Sequence, residues 1–178
     1  IVNQLTMNKL IKIGIGSLAA ILITVGLSSF TTSKKSKSDK QKLEGFWYSW
    51  EDGLKKAKEE DKIILVDVYT TWCGWCTKME KDTYEKDSIQ KLIGENFVPI
   101  KINPETTTTY KIGDTTYSGV QIVKFLASGK NNRSYPITYF WLDPEKGNEG
   151  RRKYLQKNYL NPDQMSQVLR RIVKIKNK

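Results

Sequence analysis

Two cysteines, Cys73 and Cys76, are the only thiols in a chain of 178 residues, and they stand in the run Trp72-Cys73-Gly74-Trp75-Cys76. That spacing suits thiol–disulfide exchange, in which one thiolate attacks a disulfide and a second thiol resolves the mixed disulfide. If the pair opens a helix, Cys73 meets unpaired backbone N–H groups and the positive end of the helix dipole, which favour its thiolate. Cys76 is then about one turn further on, closer to the core, and able to close a ring with Cys73. Gly74 lets a partner backbone approach, and Trp72 and Trp75 offer flat apolar surface around the exposed sulfur. Histidine is absent, which removes Ser-His-Asp and Cys-His catalysis and every imidazole metal site. Two thiols cannot complete a zinc tetrahedron, and Thr77 stands where C-x-x-C-H haem attachment needs histidine. The exchange needs no cofactor beyond the Cys73–Cys76 pair itself. Copper(I), which accepts two soft thiolates, and a purely structural pair are the alternatives.

The elements that must carry this pair are legible in the flanking pattern. Lys62–Thr70 is short, β-branched and apolar on both faces, as expected for a central strand, with Asp67 its one polar interruption. A helix is predicted before it, capped by Ser49 with Asp52, and another from near Cys73 through TKMEKDTYEK. Asp87 is expected to cap a further helical piece over 88–94, and 97–103 reads as a second apolar strand. Residues 104–118 read as a small hairpin around Gly113-Asp114, and Ser118 as the cap of a helix ending at Gly129. Pro136 opens an apolar strand over 137–142, DPEKGN is a turn, and 150–155 returns as a strand. Asn161-Pro162-Asp163 starts a last helix with Met165, Val168, Leu169, Ile172 and Ile175 on one face. This order predicts an α/β fold: a central mixed sheet flanked by helices, with a small hairpin insertion.

That order resembles the thioredoxin fold, and VDVYTTWCGWC resembles its active-site segment: an acid on the strand six residues before the first cysteine, and a Trp just before it. The run from Trp50 through Asn103 resembles more closely the exported thioredoxin-like proteins related to the C-terminal domain of the thiol-disulfide interchange transporter. The resemblance covers about residues 46–175. It implies that Asp67 is a buried acid that moves the proton of Cys76 through water, and that Lys101 pairs with that acid. It also implies a cis Tyr135–Pro136 bond facing the cysteines, with the Tyr135 backbone bonding an extended substrate. Without the resemblance, Asp67 reads as a polar residue at a strand end, Lys101 as a solvated strand lysine and Pro136 as an ordinary strand opener. Two departures stand out: Trp75 where thioredoxin itself has proline, and the longer segment 104–134. The expected function is exchange of disulfides with protein substrates, fed by a membrane electron donor or a thiol reductant. A non-catalytic module on the same scaffold, carrying copper(I) or binding a partner, is the alternative.

The net charge is +11, of which +5 lies in residues 1–45 and +4 in 161–178. A nucleic-acid binder carries its basic stripe on the folded body, so no nucleic-acid partner is expected. The terminal lysines read as a solvated surface or as an attraction to an anionic membrane. Met7 reads as the initiator, followed by Lys9, Lys12 and an apolar run from Ile13 to Phe30. Residues 1–33 are therefore expected to be a signal peptide or an N-terminal membrane anchor, 34–45 a lysine-rich linker and 46–178 the thioredoxin-like domain. Export, to a periplasm or as an anchor facing the envelope, is the expected location. The five lysines between Lys34 and Lys42 argue for a cytoplasmic face by the positive-inside rule.

Overall fold

A computed structural model describes residues 45–130, 132, 134–149 and 152–178. The signal or anchor segment and all but the end of the linker lie outside the described residues. Among those described, no helix is long and apolar enough to cross a membrane.

The elements follow the predicted order. They are α1 (Trp50–Glu59), β1 (Ile63–Val68), α2 (Gly74–Met79), a π-helical turn (Glu80–Tyr84), α3 (Asp87–Asn96) and β2 (Phe97–Ile102). Then come β3 (Thr109–Ile112), β4 (Thr115–Ser118), α4 (Gly119–Leu126), β5 (Ile137–Trp141), a 3-10 turn (Pro144–Glu149), β6 (Lys153–Lys157) and α5 (Pro162–Lys176). The main sheet runs β2-β1-β5-β6, and β3-β4 form the separate hairpin. Strand β1 is parallel to β2 and antiparallel to β5, and β6 returns antiparallel to β5, so the sheet is mixed.

Side-chain alternation splits β1 between two cores. Ile64, Val66 and Val68 pack with α1, α4 and the hairpin. Ile63 and Leu65 face the other way, onto Met79, Tyr84, α3 and α5. Every residue of β1 is buried, as a strand sandwiched between helical layers must be. The hairpin is fixed to the first layer by the Trp50 indole, which donates to the Lys111 carbonyl at 2.9 Å and meets Tyr110 edge-on. At the start of α4, Gly119 is pressed so closely on Pro104 that a β-carbon would sit 2.5 Å from the Pro104 carbonyl oxygen.

Two local expectations need correction. The helix over TKMEKDTYEK does not continue as one α-helix, because it widens into a π turn at Glu80–Tyr84. Asp87 does not cap α3; it lies in the first turn, and Lys86 occupies the cap position with no side-chain bond. The returning strand is found at Lys153–Lys157, and the Leu142 N–H donates to the Arg152 carbonyl at 2.9 Å just before it; residues 150 and 151 of the expected strand lie outside the described residues. The Ser118 and Asn161 caps form as full capping boxes with Gln121 and Gln164.

Candidate active site

Cys73 is the N-cap of α2, in extended backbone, and Cys76 lies in the first turn. Backbone N–H groups of Cys76 and Thr77 donate to the Cys73 carbonyl at 3.1 and 3.2 Å. The Cys76 N–H also points at the Cys73 sulfur at 3.1 Å. The two sulfurs are joined as a disulfide. When that bond is reduced, the same N–H and the helix end face the Cys73 thiolate, which is the electrostatic basis for giving Cys73 the attacking role.

Exposure does not separate the two cysteines in the disulfide form: Cys73 is 6% exposed and Cys76 8%. The accessible surface beside them belongs to Trp72 and Trp75, at 66% and 59%. Trp72 is held on two sides. Its indole N–H donates to both carboxylate oxygens of Glu105 at 3.1 Å, and its ring meets Tyr135 edge-on at 5.8 Å. Glu105 is itself set by an Asn103 turn, whose side-chain oxygen accepts its backbone N–H. Trp75 leans on Tyr159, 5.5 Å between centroids. A β-carbon on Gly74 would meet nothing within 4 Å, so the backbone there is open to an approaching chain. The Tyr135–Pro136 peptide is cis. Val68 pairs with Ile137, so this bond sits at the same end of the sheet as the segment leading to Cys73.

A polar row crosses the sheet. Lys101, Asp67 and Thr138 are register partners on β2, β1 and β5. They alternate with residues of the α1/α4 core and so share the face that carries α2 and the π turn. Asp67 is 3% exposed, and burial pushes its carboxyl up to about 7; Lys101 opposes the rise and Glu80 adds to it. The Tyr84 hydroxyl approaches Asp67 Oδ1 at 3.4 Å and Thr138 Oγ1 at 3.0 Å. Burial and the neighbouring Asp67 hold the Tyr84 phenol well above its ordinary range, so it is neutral.

Lys101 is not bonded to Asp67 as the resemblance implied. Its ammonium is bonded to Glu80 and lies 4.9 Å above the Trp47 ring. Glu80 also accepts from the Trp47 indole at 2.9 Å. Among the described residues no group of three or more acids and cysteines is placed to hold a metal ion.

Trp47, Glu80, Tyr84, Glu105, Thr138 and Tyr159 join the site without being marked by residue type or motif. Glu80 stands four residues after Cys76, so helical spacing alone would have put it over the second cysteine. Tyr84 was not accessible that way, because its position depends on the π turn.

A mixed sheet between helices, a cysteine pair at a helix start and a cis-proline at the same sheet end define a thioredoxin-like protein. Comparison with known proteins narrows this. The chain belongs to the Thioredox_DsbH family, described as a protein of unknown function, DUF255, whose profile matches residues 34–178. An uncharacterized protein of Caenorhabditis elegans is 38% identical over 100 residues, which cover 56% of this chain and 12% of that one. The chain thus spans about one eighth of that curated relative's length. The thiol:disulfide interchange protein DsbD of Colwellia psychrerythraea is 37% identical over 46 residues, 26% of this chain and 8% of that one. A thioredoxin from Thermus thermophilus superposes with a TM-score of 0.53 at 13% identity, covering 71% of this chain and 85% of the other, a likeness of fold.

Proposed function

We propose that this chain exchanges disulfides with protein substrates in the cell envelope, with Cys73 as attacking thiol and Cys76 as resolving thiol. The single observation that carries the reading is the Cys73–Cys76 disulfide at the start of α2, flanked by two exposed indoles and level with the cis Tyr135–Pro136 bond. In the reducing direction the Cys73 thiolate attacks a substrate disulfide, forming a mixed disulfide and releasing one substrate thiolate. Asp67 then takes the proton of Cys76. The Cys76 thiolate attacks the Cys73 sulfur, the intramolecular disulfide forms, and the second substrate thiolate leaves. The Tyr135 backbone and the open surface at Gly74 receive an extended segment of the substrate. The electron donor that restores the dithiol is a membrane partner or a soluble thiol, in keeping with the similarity to DsbD over 46 residues. The apolar run before the domain would serve as export signal or tether.

The test is trapping. A Cys76→Ser variant should accumulate covalent adducts with envelope proteins that dithiothreitol releases, and the wild-type protein should reduce insulin disulfides when supplied with a thiol. Absence of both adducts and insulin reduction would overturn the reading.

A further inference from the structure

We propose that Tyr84 is a positioning residue for the proton-accepting step: its hydroxyl, backed by Thr138, holds the Asp67 carboxyl and sets the pH at which Asp67 takes a proton. The proposal rests on the reading of Asp67 as acceptor of the Cys76 proton.

The groups facing Asp67 are few. Lys101 comes from β2, Glu80 and Tyr84 from the π turn, and Thr138 from β5. The helices α3 and α5 bring apolar residues to this face, such as Ile93 and Leu169. The Lys101 ammonium is bonded to Glu80. Among the described residues, the Tyr84 hydroxyl is therefore the one side-chain group hydrogen-bonded to the Asp67 carboxyl. Asp67, Tyr84 and Thr138 are all buried, and a buried hydroxyl or carboxyl without a partner is costly.

The three groups form a chain that can run in either direction with the protonation state of Asp67. An ionised Asp67 can only accept, so Tyr84 donates to it and Thr138 donates to the Tyr84 oxygen. A protonated Asp67 can turn its proton toward the Tyr84 oxygen, and Tyr84 then donates to Thr138. The proton that leaves the Cys76 thiol is thus accommodated on Asp67 by reversing two hydrogen bonds, with the Asp67–Tyr84 and Tyr84–Thr138 contacts both kept. A bond to the charged form outweighs one to the neutral form, so Tyr84 favours the carboxylate. At 3.4 Å the Tyr84–Asp67 contact is long for an O–H···O bond, which places its effect at the low end of charged hydrogen bonds.

The test is a carbon-13 NMR titration of the Asp67 carboxyl in the oxidised full chain, where no thiol titrates. Tyr84→Phe keeps the ring against Trp47, 4.9 Å away, and removes only the hydroxyl. It should move the Asp67 midpoint upward by a few tenths to about one pH unit. Thr138→Val should produce a smaller shift alone and none in the Tyr84→Phe background, because Thr138 acts through Tyr84. An unmoved or lowered midpoint in Tyr84→Phe overturns the proposal, as does an equal Thr138→Val shift in both backgrounds. Should Tyr84→Phe not fold, Thr138→Val alone decides, and an unmoved midpoint overturns the chain. The oxidised protein performs no exchange, so this result stands apart from failure of the catalytic reading, which Asp67→Asn kinetics test separately.

Discussion

Lys101 and Asp67 are register partners on adjacent parallel strands, yet the Lys101 ammonium bonds Glu80 and reaches Asp67 only through space. A direct ion pair would hold the Asp67 carboxyl low and leave it a poor base. With the lysine drawn aside, burial dominates and the carboxyl rises to about 7. Lys101→Met should therefore raise the Asp67 midpoint further, because it removes the charge that opposes the rise. Carboxyl titration of the oxidised variant checks this, and a fall would contradict the electrostatic assignment.

Asp67→Asn should slow the second half of the exchange and spare the first. Proton removal from Cys76 is needed only when the mixed disulfide is resolved. We expect resolution to slow by roughly 10²-fold or less, the range for loss of a general base. Because only the carboxylate accepts a proton, wild-type resolution should rise with pH through about 7 and level off above, and the variant should lose that inflection. Stopped-flow turnover of a fluorescent disulfide peptide resolves the two steps. Equal slowing of both, or of neither, would remove Asp67 from the role.

The same group makes stability depend on pH. The Asp67 carboxyl holds its proton up to about 7 in the folded protein against 3.8 as the ordinary value, so the folded state binds that proton more tightly. Its contribution is fully present below about pH 4 and is lost as pH rises through 7, with a slope of up to about 1.4 kcal/mol per pH unit. Asp143, held low by Arg152, acts in the opposite sense and only as pH falls below its ordinary range. Urea unfolding of the oxidised protein between pH 4.5 and 8 should show the fall, and Asp67→Asn should flatten it.

Cys73 should alkylate faster than Cys76 at pH 7 in the reduced protein. The two are buried alike as a disulfide, so the difference comes from the Cys76 N–H and the helix end facing the Cys73 sulfur. Rates on each single cysteine variant across pH measure it, and a faster Cys76 would reverse the roles.

Gly119→Ala should destabilise by about 1–3 kcal/mol, the usual cost of overpacking. Its β-carbon meets Pro104 backbone, which cannot swing away. Gly53→Ala should cost less, because the atoms in its way are the Ile100 side-chain tip. Denaturant midpoints of the two variants give the order.

Periodicity and caps carried most of the fold. The continuous apolar run at β1, the Ser118 and Asn161 caps and the α5 stripe each have one local cause that a sequence displays. The cysteine pair and Asp67 were visible because residue type and spacing alone mark them. The partner of Lys101 was not, since strand register puts it beside Asp67 while its long stem lets the ammonium choose Glu80. Nor was Tyr84, because a π turn leaves no mark in a pattern read at 3.6 residues per turn. Glu105 reaches Trp72 from 33 residues away, a distance no local rule spans.

Strand β6 stands at the rim of the sheet with Lys153 and Lys157 at its two ends and Tyr154 and Leu155 exposed between them. Two copies meeting rim to rim in antiparallel fashion about Leu155 would set each Lys153 against the other's Lys157. Four positive charges would crowd a five-residue ribbon, which is how natural sheets keep an open edge from recruiting its own kind. The lysines therefore set like charge against like along this rim, so its exposed Tyr154 and Leu155 are guarded against pairing with a second copy of the same sequence.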